Sequence, residues 1–175
     1  MEQELQSKES KRLAGGRTDT NPENLKALYK IYYRESWKTA RIILTIVGIV
    51  LLVVGITAYL KHLPLVYAFV PVWIGAVMVI YPRNAYKKPY KEAKNEKSSI
   101  FFAFYDKGMT EKTDGSLQHF DYDTMHEVIE TPKYFFFFHS RREVSILEKS
   151  GINRGTADGL ASILKMRVKK YRIVK

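Results

Sequence analysis

Residues 42–60 read IILTIVGIVLLVVGITAYL, and residues 63–80 read LPLVYAFVPVWIGAVMVI. Neither stretch contains a charged residue. At about 1.5 Å of rise per residue, a helix of either length comes close to the roughly 30 Å of bilayer hydrocarbon. Two buried core helices would be the alternative, but no soluble domain in the rest of the chain could surround both. The link between them, KHLP, has room only for a tight turn. A transmembrane α-helical hairpin over residues 42–81 is therefore expected. A signal peptide is not, because about forty mostly polar residues precede the first apolar stretch.

Charge orients the hairpin. Lys61 is the only formal charge in the turn. Lys26, Lys30, Arg34, Lys38 and Arg41 precede the first stretch, and Arg83, Lys87, Lys88, Lys91, Lys94 and Lys97 follow the second. Cationic flanks stay on the cytoplasmic side, so both termini are expected in the cytoplasm and the turn outside. Trp37 and Tyr81 stand where an inner aromatic belt would lie, Tyr59 and Tyr67 where an outer one would.

Small residues indicate how the hairpin closes. Gly48 and Gly55 share one helix face, as do Ala68 and Gly75. Folding about the turn sets Gly55 opposite Phe69 and its neighbour Ala68, and Gly48 opposite Ala76 and its neighbour Gly75. Lipid supplies no hydrophobic drive, so close approach at small residues is the expected source of packing. A dimer face is the alternative. Pro71 is expected to kink or loosen the second helix. No ionisable group lies within either stretch, which argues for an anchor or docking surface over a pump or channel.

Around the hairpin the 175-residue chain divides by texture. Residues 1–20 mix charges with Gly, Ser and Thr, and poor order is expected there. Residues 21–41 should form a basic amphipathic helix leading into the membrane, with Asn21 as N-cap and Pro22 at the first helical position. Its stripe of Lys26, Lys30, Arg34 and Lys38 suits either solvent or anionic lipid headgroups. The basic segment 82–97, with Arg83, Lys87, Lys88, Lys91 and Lys94, invites the same contact. A net charge of +11 also fits nucleic acid, but no zinc spacing, recognition helix or RNA-binding signature occurs. The chain has no cysteine, so disulfides and thiolate metal sites are excluded.

Residues 98–175 read as a small cytoplasmic α+β domain. IFFAFY, MTEKT, SLQHFDY, HEVIE, YFFFFH and EVSIL are six short strands with short connections, as in an antiparallel meander. Thr156 can cap a last helix whose Leu160, Ile163, Leu164, Val168 and Tyr171 recur with helical period. The expected result is a bent sheet or partial barrel closed by that helix. Within YFFFFH, Tyr134, Phe136 and Phe138 share one face, and Phe135, Phe137 and His139 the other. Apolar residues on both faces require two covers. The C-terminal helix should supply one; barrel curvature, the N-terminal arm or a second subunit could supply the other.

This order of parts, with YPRNAYKK after the second span and YDKGMTEKTDGSLQHFDYDTMHEVIETPKYFFFFHSRREVSIL in the tail, resembles the YcxB-like family of small bacterial membrane proteins. The resemblance implies a tail domain similar to bacterial pleckstrin-homology-like (PH-like) domains and a place in the bacterial cytoplasmic membrane. It carries no activity to transfer.

The best candidate for chemistry is HFDYDTMHE, where a strand would put His119, Asp121 and Asp123 on one face. Divalent metals use such ligands, but the wet face of a sheet has the same pattern. No nucleophile elbow or phosphate-binding loop occurs. The expectation is a protein without catalytic, metal or cofactor residues. It would bind the bilayer and a membrane or cytoplasmic protein, and it could be a homo-oligomer. Self-protection against a toxin or bacteriocin is the alternative, and a metal-dependent enzyme a remote one.

Overall fold

A computed structural model describes residues 12–93 and 98–174. The chain forms two compact units, one of residues 1–28 with 93–175 and one of residues 29–92. The first unit is thus discontinuous, interrupted by the second.

In the interrupting unit, helix α1 (Pro22–Ser36) continues from the first unit. It breaks at Trp37, whose backbone is at φ −105° and ψ 15°. The expected single helix over residues 21–41 is therefore two. Helix α2 (Lys38–Leu60) and helix α3 (Leu65–Asn84) follow, then the short α4 (Lys87–Ala93). Both α2 and α3 are long and apolar enough to span a membrane. Helix α3 runs through Pro71 and Pro82.

The turn between them has a defined cap. His62 adopts φ 53°, its amide donates to the Tyr59 carbonyl, and the Leu63 amide donates to the Ala58 carbonyl. These two bonds form a Schellman motif, and Pro64 then stops the helix.

The first unit holds nine strands among its described residues, in two sheets. They are β1 (Ala14–Asp19), β2 (Ser99–Phe104), β3 (Gly108–Thr113), β4 (Ser116–Asp121), β5 (Glu127–Glu130), β6 (Tyr134–Phe138), β7 (Val144–Glu148), β8 (Ile152–Arg154) and β9 (Tyr171–Ile173). A 3₁₀ turn (Lys149–Gly151) precedes β8, and helix α5 (Ala157–Arg167) precedes β9. One sheet runs β4-β3-β2-β1-β8 and the other β7-β6-β5-β9. Neither closes into a barrel.

Three expectations are corrected here. Residues 14–19, within the 1–20 stretch expected to be poorly ordered, form β1, paired with β2 on one side and β8 on the other; residues 1–11 lie outside the described residues. The tail is not wholly antiparallel, because β9 runs parallel to β5. The helix does not close the chain: it ends at Arg167, Val168 is extended, and Tyr171 belongs to β9.

AGGRTD has poor strand propensity, so the partners rather than the segment make β1 a strand. Its glycines serve close approach. A Cβ at Gly16 would lie 2.8 Å from Leu147 Cδ1, and one at Gly151 would lie 1.9 Å from the Arg17 carbonyl oxygen. The Thr18 hydroxyl accepts from the Glu148 amide at 2.9 Å, tying β1 across to β7.

The core lies between the two sheets and α5. Phe137 packs 5.9 Å from Phe102 and 5.6 Å from Phe104, centroid to centroid. Met109, Val128, Leu147, Leu160 and Leu164 complete it. Phe135 and Phe137 face this core, and α5 is capped by the Thr156 hydroxyl accepting from the Gly159 amide at 3.1 Å. Phe136 and Phe138, on the other face of β6, are each only 2 % exposed, so all four rings are buried. On that side the start of α1 is fastened to the sheet. Asn21 Oδ1 accepts from the Asn24 amide at 2.8 Å, and Asn24 Nδ2 donates to Glu148 Oε2 at 3.2 Å. Glu23 pairs with Lys133 at 3.1 Å.

Strand β9 is held by side chains as well as its ladder. Tyr171 Oη donates to Glu130 Oε2, and Lys149 Nζ donates to Glu130 Oε1 at 2.7 Å. Arg172 Nε donates to Glu127 Oε1 at 3.0 Å. Burial alone would raise the Glu130 carboxyl, but these two bonds outweigh it and hold the group below its ordinary value. Burial and the Glu130 bond push the Tyr171 phenol well above its ordinary value.

Two outcomes follow from this packing. Gly151→Ala should lower the thermal midpoint, with a loss of about 1–3 kcal/mol from forced displacement of β1, read by circular dichroism. A lowered carboxyl stabilises above its unfolded pKa and loses that contribution as pH falls through the folded one; a raised phenol contributes below its unfolded pKa and loses it as pH rises. The protection of the β9 amides, measured against their intrinsic exchange rates, should therefore be greatest at neutral pH and fall in acid and in strong base. Tyr171→Phe should remove the alkaline limb and cost about 1.5–3 kcal/mol.

Candidate functional site

The residues singled out for hairpin packing are brought together in pairs. A Cβ at Gly48 would lie 2.9 Å from the Gly75 carbonyl oxygen, and one at Gly75 would lie 2.6 Å from that of Gly48. A Cβ at Gly55 would lie 2.7 Å from the Ala68 oxygen and 2.6 Å from Val72 Cγ2. Gly48, Gly55, Ala58, Ala68 and Gly75 are buried along this seam. The backbones of α2 and α3 therefore meet where side chains are smallest.

Away from the seam the two helices are bare. Ile46 is 57 % exposed, Leu60 68 %, Phe69 73 % and Trp73 67 %. A soluble monomer seldom leaves more than a few hundred Å² of continuous apolar surface in water. Two threonine hydroxyls are satisfied inside α2: Thr45 Oγ1 donates to the Arg41 carbonyl at 2.8 Å and Thr57 Oγ1 to that of Val54 at 2.9 Å. Such an element suits a solvent that offers no hydrogen bonds.

Basic residues precede and follow this apolar stretch in sequence. Lys26, Lys30, Lys38, Arg83, Lys87, Lys88 and Lys91 are exposed. Arg34 is half-buried and donates to Glu35 Oε1 at 3.0 Å, so its charge is partly used locally. Lys94 lies outside the described residues.

In the first unit, the structure assembles a buried polar cluster from residues distant in the sequence. His139 Nε2 lies 2.8 Å from Glu111 Oε1 and 3.0 Å from Ser145 Oγ. Ser145 Oγ donates to the same carboxylate oxygen at 2.5 Å. The His139 ring stacks on Phe120 with centroids 3.5 Å apart. Period-two reading from Met109 would have placed Glu111 inward, and His139 shares its face with Phe135 and Phe137.

Ser, His and Glu are the members of a nucleophilic triad, but their arrangement differs from one. A triad puts the carboxylate on the Nδ1 side of the imidazole and the serine on Nε2. Here both meet Nε2, while Nδ1 is buried with no partner among the described residues. The serine proton is given to the carboxylate, so His139 is not set to remove it. The cluster joins β3 to β7 and the end of β6 across the core.

The pair His119–Asp121 is 3.2 Å apart, with both side chains more than half exposed. Asp123 does not join them, because β4 ends at Asp121 and the chain turns. Among the described residues no group of three His, Asp or Glu side chains could hold a metal ion.

Residues 104–164 match the family model described as YcxB-like protein. The chain thus carries a YcxB-like domain, from Phe104 at the end of β2 to Leu164 in α5. Strands β1 and β9 lie outside the matched residues. Neither the curated proteins nor the solved structures give a match.

The seam yields a direct test. Gly48→Leu should separate α2 from α3 and lower the resistance of the purified protein to unfolding in detergent, while Val47→Leu, on an exposed position, should leave it unchanged.

Proposed function

We propose that this chain is a non-enzymatic integral protein of the bacterial cytoplasmic membrane. Its hairpin anchors a YcxB-like, PH-like domain at the inner face, where the domain binds a protein partner or lipid headgroups. The observation that carries this reading is the exposed apolar surface of α2 and α3 with cations at its two chain ends and only Lys61 in the turn. Apolar area is worth about 25 cal/mol per Å² when it leaves water, so a belt this broad strongly favours hydrocarbon.

Topology supports the orientation. Strands β1 and β2 pair, with Asp19 opposite Ser99, so the segments entering and leaving the hairpin start from neighbouring strands of one sheet. An even number of crossings keeps both on one side, and the positive flanks make that side the cytoplasm. Lys26, Lys30, Arg34, Lys38, Arg83, Lys87, Lys88, Lys91 and Lys94 then contact anionic headgroups, each worth roughly 1 kcal/mol near the surface. Arg34 contributes less because it also serves Glu35.

The absence of cysteine makes the test clean. Lys61→Cys should react with a membrane-impermeant maleimide in intact cells. Asp114→Cys, in the exposed turn between β3 and β4, should react only after lysis. The opposite pattern would invert the topology, and recovery of the chain in the soluble fraction without detergent would remove the anchor altogether.

A further inference from the structure

The outer face of the five-stranded sheet is built unevenly. Strand register places Arg17, Phe101, Lys112 and Leu117 side by side in one row across β1 to β4. The adjacent outward row is Gly15, Ala103, Thr110 and His119. A row of large side chains beside a row of mostly small ones leaves a trough across the strands, about 390 Å³ in volume. Its lining includes Arg12, Phe101, Ala103, Thr110, Lys112 and Leu117.

Arg12 reaches the trough because Gly15 has no side chain: a Cβ there would lie 2.0 Å from Arg12 Nη2. The guanidinium donates to the Phe102 carbonyl at 3.1 Å and to that of Ala14 at 3.4 Å. A guanidinium has five N–H groups, so donors remain for a ligand. Neither Arg12 nor Lys112 has a carboxylate partner among the described residues, whereas the acids on this face are engaged, Asp19 with Arg17 and Asp121 with His119. Phe101 is 44 % exposed and Leu117 71 %. The face therefore offers uncompensated positive charge beside apolar surface.

We propose that this trough docks an acidic peptide segment of a partner protein. Carboxylates meet Arg12 and Lys112, and one aliphatic or aromatic side chain lies between Phe101 and Leu117 over the Ala103–Thr110 floor. Concavity favours a peptide over a bilayer, since a planar surface does not reach the floor of a trough. The inference rests on reading the domain as a binding module and is independent of the hairpin being its anchor.

The test uses the full chain in phosphatidylcholine nanodiscs and a fluorescent heptapeptide. Glutamate occupies its second and sixth positions, leucine or phenylalanine the fourth, and serine the rest, so the three functional side chains share one face when extended. Saturable binding is expected by anisotropy, weakened about tenfold or more by Lys112→Glu or Leu117→Ser, with no binding of the lysine counterpart. Both substitutions are at exposed positions, and circular dichroism checks the fold. Equal binding of the lysine peptide, or indifference to both substitutions, overturns the proposal. Loss of binding to phosphatidylglycerol vesicles in Lys112→Glu, with no peptide binding by the unsubstituted chain, also overturns it and makes the face a lipid contact, leaving the binding-module reading intact. Crosslinking in native membranes that recovers no partner defeats that broader reading instead.

Discussion

Strand β1 hydrogen-bonds to β2 along six residue pairs, from Ala14 opposite Phe104 to Asp19 opposite Ser99. Residues 20–98 are inserted between these two adjacent strands. The sheet must therefore close around an insertion many times longer than an ordinary hairpin loop. Loop-closure entropy rises only slowly with length, and an antiparallel helix pair shortens the effective path by returning the chain toward its start. Strand β8 depends on the same contact, since among the described residues β1 is its only neighbour in the sheet. The two small residues Gly16 and Gly151 make room for β1 where it passes Leu147 and β8.

The second constraint is the aromatic strand β6. With Phe135 and Phe137 turned to the core and Phe136 and Phe138 turned away, one sheet face cannot satisfy it. A fully buried phenylalanine contributes about 1.5–3 kcal/mol, so burying both sets is a large share of a small domain's stability. The start of α1, fastened through Asn24 and Glu23, lies on the side opposite the core. At the other end of the chain, β9 is latched to β5 by Glu127 and Glu130. Both additions come from outside the residues that match the YcxB-like family model.

Much of this was legible in advance. The two uncharged stretches announced the long apolar helices, because length and lack of charge are local properties. Asn21–Pro22 and Thr156 announced helix starts, since capping is settled within one turn. Strands β2 to β7 were visible from short apolar runs between turn residues. Strand β1 was not, because AGGRTD offers neither alternation nor bulk and becomes a strand only between two partners. Strand β9 was hidden inside an apparent helical period that Tyr171 extended by coincidence. The His139–Glu111–Ser145 cluster was hidden because Glu111 and Ser145 lie on separate strands, β3 and β7, and His139 just past the end of β6.

The sequence by itself determined that two segments are too apolar for water, that their flanks are basic, and that a β-rich domain follows. These are sums over neighbouring residues and need no fold. Only the tertiary structure decided that residues 14–19 belong to that domain, that Arg12 lies over Gly15 on an exposed face, and that Glu111, His139 and Ser145 share a proton network in the core. Each depends on contacts between residues distant in the chain, and strand pairing, which creates them, leaves no local signature.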